Sequence, residues 1–157
     1  MENNIKKDYE GLAKKYNLPS FDSLNNEFEI ITIEKEDFLL REIRRKIDEK
    51  IELYIKFLES LLQPDTVSLS DIYEYRFFDD KERHDIFELF RKLMFFSRYS
   101  IETSITEDNK KSAEFINRLW EEWEDLKNKF SSLVKKTKED WLNEAKIIEE
   151  DKGGYLG

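Results

Sequence analysis

With 157 residues, 39% of them hydrophobic and 14% aromatic, the chain can bury a core of its own, which excludes a disordered polyelectrolyte despite its 40% of charged residues. The absence of cysteine excludes disulfides and thiolate metal sites and points to a reducing, cytoplasmic setting. A net charge of −9 works against nonspecific nucleic-acid binding, and no apolar run approaches the roughly 18 residues of a membrane span.

Only four Gly and two Pro occur, so the body lacks the turn punctuation of a β-rich fold, while Glu, Lys, Leu and Ile favour helix. The opening Met1-Glu2-Asn3-Asn4 does not have the pattern of a signal peptide. Residues 4–17 are predicted to form a short helix with Ile5, Tyr9, Leu12 and Tyr16 on one side. Leu18-Pro19 ends it, because the residue before proline avoids the α region. Ser20 or Asp22 then caps a second short helix carrying Phe21, Leu24 and Phe28. Ile30-Ile31-Thr32-Ile33 is expected to be an extended connector lying on the core.

Residues 34–62 carry the clearest signal. Leu40, Ile43, Ile47, Ile51, Tyr54, Leu58 and Leu61 alternate in steps of three and four, the seam of a left-handed bundle. Gln63-Pro64-Asp65 stops that helix, a short piece follows from Ser70 to about Phe77, and Asp79 or Asp80 caps the next long one. This helix, to about Thr103, has apolar groups around most of its circumference, which predicts a central position.

The stretch 107–151 carries a second seam of Ala113, Ile116, Trp120, Trp123, Phe130, Val134, Trp141 and Ile148, flanked by a column of Leu119, Leu126, Leu133 and Ile147. Unbroken, it would be roughly 65 Å long, more than a compact domain of this size spans. Thr137 with Asp140 resembles a capping box, so a break is expected near 136–138. The fold class is therefore all-α, an antiparallel helical bundle of three long helices plus short N-terminal helices. One domain is expected over residues 1–151, with 152–157 as a flexible tail.

Charge is interleaved on the scale of whole elements. Acids and bases number 6 and 4 over 1–33, 8 and 7 over 34–62, 9 and 6 over 63–106, and 13 and 10 over 107–157. Such mixing describes solvated faces with i,i+4 pairs, Arg44–Asp48 among them.

Catalytic constellations are sparse. His84 is the single histidine, which rules out a two-histidine di-iron bundle. There is no cysteine, no G-x-S-x-G and no Gly-rich phosphate loop. The carboxylate pairs Asp71/Glu74 and Asp85/Glu88 have a spacing that could serve a Mg²⁺-dependent nucleotide hydrolase, but no bases are organised around them for a triphosphate. No cofactor is expected, and an enzyme is not the favoured reading.

Arg41, Arg44 and Arg45 share a side of the 34–62 helix, where they either contact an acidic partner or RNA phosphates or pair with neighbouring acids. Arg98 is expected to make a structural salt bridge. Trp120 and Trp123 point the same way and are read as core. Gly153-Gly154 forms a hinge before Tyr155 and Leu156, which either dock back or insert into a partner's pocket.

The phrases Phe38-Leu39-Leu40-Arg41-Glu42-Ile43-Arg44-Arg45-Lys46-Ile47, Glu88-Leu89-Phe90-Arg91-Lys92-Leu93-Met94 and Ala113-Glu114-Phe115-Ile116, with the Gly-Tyr-Leu-Gly ending, resemble a family of small acidic archaeal all-helical proteins. That resemblance implies an archaeal cytoplasm and no activity. The leading expectation is a non-enzymatic adaptor or accessory subunit that binds another protein through an exposed helix face or its tail, and a homodimer is also open. The alternative is a nucleic-acid-associated factor within a larger complex, using the Arg41, Arg44, Arg45 face.

Overall fold

The computed structural model describes residues 2–34, 37–143 and 145–147, and every element among them is helical. The elements are α1 (Glu2–Tyr16), α2 (Phe21–Phe28), a 3₁₀ turn (Ile30–Thr32), α3 (Leu39–Leu62), α4 (Leu69–Arg76), α5 (Asp80–Thr106) and α6 (Asn109–Trp141). None is long and apolar enough to cross a membrane among the described residues.

The helix ends follow the local chemistry. Ser20 caps α2 and Ser68 caps α4, each accepting from a backbone N–H three residues on. Asp79 and Glu82 form a reciprocal capping box at the start of α5, with bonds of 2.8 and 3.1 Å. Asp108 caps α6 by accepting from the Lys111 N–H at 2.7 Å.

Three expectations are corrected. The stretch expected to be extended, Ile30–Ile33, is mostly a 3₁₀ turn: Glu29 adopts a left-handed backbone (φ 53°) and the Asn25 side chain accepts the Ile31 N–H at 2.9 Å. Ile30 and Ile33 are both buried, so the predicted packing holds while the backbone form does not. The predicted break at 136–138 is absent. Thr137 donates to the Leu133 carbonyl at 2.8 Å within a continuing helix, and α6 runs to Trp141. The tail predicted at 152–157 lies outside the described residues. Lastly, the apolar circumference that predicts a central position for α5 is not all turned inward, since Phe87, Phe95, Ile101 and Ile105 are exposed.

The chain divides into two compact units, and the boundary falls inside each of the three long helices. Unit 1 comprises residues 1–53 and 94–124; unit 2 comprises residues 54–93 and 125–157. In unit 1, the α3 seam residues Leu40, Ile43, Ile47 and Ile51 are fully buried, with Phe96 of α5 and Phe115, Ile116 and Leu119 of α6 in the same core. Phe115 meets Phe96 and Tyr99 edge-on, joining α6 to α5. In unit 2, Tyr54, Leu58 and Leu61 continue the α3 seam, and Tyr54 stacks on Phe130 of α6 at 3.8 Å. All seven predicted α3 seam residues are thus buried.

The α6 seam departs from its prediction along its length. Trp120 is half-buried, Trp123 is buried, and Val134 and Trp141 are exposed, whereas Leu119 and Leu126 of the flanking column are buried. Val134 and Trp141 each stand five whole turns after a buried residue, Ile116 and Trp123, so what differs along the helix is the covering neighbours and not the side that is presented.

Candidate functional site

The three arginines of the predicted contact face go to three environments. Arg44 is 4% exposed and its guanidinium is engaged on both arms. Nη1 donates to the Ser100 Oγ at 2.7 Å and approaches Asp48 at 3.3 Å, while Nη2 donates to Glu107 at 2.7 Å. The Ser100 hydroxyl in turn donates to Asp48 at 2.6 Å. This network ties α3 to α5 and to the α5–α6 turn. Burial pushes the Asp48 carboxyl above its ordinary range, and the Ser100 bond and the Arg44 charge only partly oppose it. Arg41 lies over the Phe38 ring at 4.4 Å and reaches Glu42, and exposed Arg45 pairs with the same Glu42 at 3.1 Å. The trio therefore does not present one cationic surface. Tyr155 and Leu156 lie outside the described residues.

The paired carboxylates are occupied separately. Asp71 accepts from the Asp65 N–H, Glu74 accepts from the Trp141 indole at 3.3 Å, and Glu88 holds Arg91 through both oxygens. Among the described residues, no group of three or more His, Asp or Glu side chains is set to hold an ion. Asp85 and Glu88 rim a cleft of about 490 Å³ in unit 2 whose floor is Leu89, Leu126 and Leu133. His84 is exposed. Arg98 is exposed and bonds to the Ser97 hydroxyl, with no ion pair among the described residues.

Two surfaces emerge that the sequence reading did not isolate. The first is in unit 2. Residues 126–138 hold five lysines and no acid, in a chain of net charge −9. Over 107–157 as a whole this run is balanced by the acids on either side, and it stands out only in a window of about four turns. Lys129 is spent on Asp125 and Lys136 on Asp140, at 3.0 and 2.6 Å. Lys127, Lys135 and Lys138 line a groove of about 400 Å³ with Ser131, Val134, Phe130 and Tyr54. Lys135 and Lys138 have no ion-pair partner among the described residues. Cations thus surround a half-exposed apolar strip, a combination suited to an amphipathic acidic ligand.

The second surface is in unit 1. The inward column of α5 changes from Phe96 to Ser97, Ser100 and Thr103, all buried, while Phe95, Ile101 and Ile105 face out at 51%, 54% and 78% exposure. The Ser100 hydroxyl belongs to the Arg44 network, Ser97 donates to Glu52 at 3.1 Å and Thr103 donates to the Tyr99 carbonyl at 2.9 Å. These bonds explain why the polar face is the buried one. The signal was legible on a helical wheel, because Ser97, Ser100 and Thr103 extend the Leu89, Leu93, Phe96 side. The chain matches no family model, no curated protein and no solved structure.

Proposed function

We propose that this chain is a non-enzymatic adaptor or accessory subunit that binds an acidic amphipathic segment of another protein in the lysine groove of α6. The observation that carries this reading is the acid-free run over 126–138, with Lys127, Lys135 and Lys138 grouped around Phe130 and Val134. Lysine ammonium groups would steer the acidic flank of such a segment, and the apolar strip would take its hydrophobic side. The absence of cysteine and the family resemblance support an archaeal cytoplasm as the setting.

The test is affinity capture with mass spectrometry, comparing wild type with Lys135→Glu/Lys138→Glu. The double variant should lose an acidic partner while keeping its melting temperature, because both side chains are exposed and have no ion-pair partner among the described residues. Identical capture profiles would defeat the reading. A nucleic-acid-associated role is the second reading, and the same lysine run favours it. Salt-dependent binding of single-stranded RNA that the double variant abolishes would move the assignment there.

A further inference from the structure

We propose that the outward face of α5 in unit 1 pairs with the same face of a second copy of this chain, antiparallel about a two-fold axis near residues 99 and 100. The inference is independent of the lysine groove and rests on other residues.

The face is a stripe of Met94, Arg98, Ile101 and Ile105, spaced by four, three and four, with Glu102 beside it. That spacing is the seam of a two-helix packing. Ile101 and Ile105 are exposed, Met94 is half-buried, and neither Arg98 nor Glu102 has an ion-pair partner among the described residues. A lone exposed Ile is unremarkable, but Ile101 and Ile105 one turn apart, in seam register with Met94 and Arg98, call for a partner.

The order of residues selects that partner. Reversing the stripe about its midpoint maps Met94 onto Ile105 and Arg98 onto Ile101, with Glu102 one position further. In an antiparallel pair each apolar end therefore meets the opposite apolar end. Each Arg98 comes beside the other copy's Glu102, so two unpaired charges per chain become two intermolecular pairs. A parallel pair would set Arg98 against Arg98, so the charges select direction as well as partner. A two-fold contact needs this kind of self-complementarity, because the same patch supplies both sides. The stripe is about 16 Å long at 1.5 Å per residue, short for a permanent dimer, so the association is reversible and in the micromolar range.

Sedimentation equilibrium of the full chain over about 5–500 μM tests this. Wild type should show a monomer–dimer equilibrium. Arg98→Glu sets acid against acid and Glu102→Arg sets base against base, so each alone should weaken dimerisation about tenfold or more. The combined Arg98→Glu/Glu102→Arg chain restores the pairing and should return to within about threefold of wild type. Ile105→Glu should abolish the dimer, with an unchanged circular dichroism spectrum showing that the fold is intact. A chain monomeric at every concentration would overturn the proposal and leave the stripe to a foreign protein or to the chain's own remaining segment. A dimer indifferent to Ile105→Glu, or a charge swap that fails to restore pairing in folded protein, would overturn it equally.

Discussion

Each of the two units docks a short helix on α6 by the same device. In unit 1, α2 brings Glu27 and Phe28 to Trp123; in unit 2, α4 brings Glu74, with Phe77 just after it, to Trp141. The indole N–H donates to the glutamate in both cases and a phenylalanine packs on the indole. The two tryptophans are about five turns apart on α6, hence on the same side of the helix. What differs is burial. Trp123 is 2% exposed with a 2.8 Å bond, whereas Trp141 is 39% exposed with a 3.3 Å bond. The contrast shows that one anchoring motif can be core in one place and cover in another. The neighbours decide which: Trp123 lies under Phe28 and the Lys50 ammonium, while Trp141 is the last residue of α6.

The largest expected effect would break or sharpen that contrast directly. Trp123→Ala should cost about 3–5 kcal/mol in urea unfolding, because it empties a large buried site and removes the indole bond to Glu27. Trp141→Ala removes an indole already partly in water and should cost about 1–2 kcal/mol. Equal losses would mean that the two docks are energetically the same and that exposure does not grade them.

The same comparison explains which parts were legible in the sequence. The α3 seam was readable in full because Leu40 to Leu61 form one apolar column bounded by charge on both sides. The caps at Ser20 and Asp79 were readable because a short polar side chain before an apolar helix has few other uses. The α6 seam was readable only at its start, because the exposure of Val134 and Trp141 is set by which neighbours cover the helix there and not by their place on its wheel. The burial of Arg44 was legible only in part. Its spacing from Leu40, Ile47 and Ile51 sets it at the edge of the buried seam, apart from Arg41 and Arg45, but its partners Ser100 and Glu107 lie more than fifty positions on.

A second contrast between the units lies in their charge centres, and it carries the intermediate effect. Unit 1 buries a cation, Arg44, among Asp48, Glu107 and Ser100. Unit 2 buries a carboxylate, Asp140, between Lys136 and Lys146, which also donate to the Phe77 carbonyl at 2.8 and 3.1 Å. Arg44→Met should cost about 2–3 kcal/mol, less than for a fully interior pair, because Asp48 and Glu107 each keep about a third of their side-chain surface in water. A neutral result by thermal and urea unfolding would show that the network can be replaced by apolar packing.

The smallest effect, and the most discriminating, is in pH. Asp48 and Asp140 are displaced in opposite directions. Burial raises Asp48 more than its partners lower it. Burial acts on Asp140 in the same sense, but the hydrogen bonds and charges of Lys136 and Lys146 outweigh it and hold the carboxyl below the usual range. A carboxyl raised in the folded state binds its proton more readily folded than unfolded. The contribution of Asp48 is therefore fully present below its unfolded pKa of about 3.9 and is lost as pH rises through the folded value. Asp140 behaves inversely: its contribution is present above about 3.9 and is lost as pH falls through its lowered value. Measured against wild type from about pH 7 to about pH 3, the deficit of Asp48→Asn should grow as acid is added, while that of Asp140→Asn should shrink. Both substitutions keep side-chain volume, so packing changes are small and the slopes report protonation. If the two deficits change with pH in the same direction, then one of the carboxyls is displaced oppositely to the cause assigned to it, and the pairing of a buried cation in one unit with a buried anion in the other loses its electrostatic meaning.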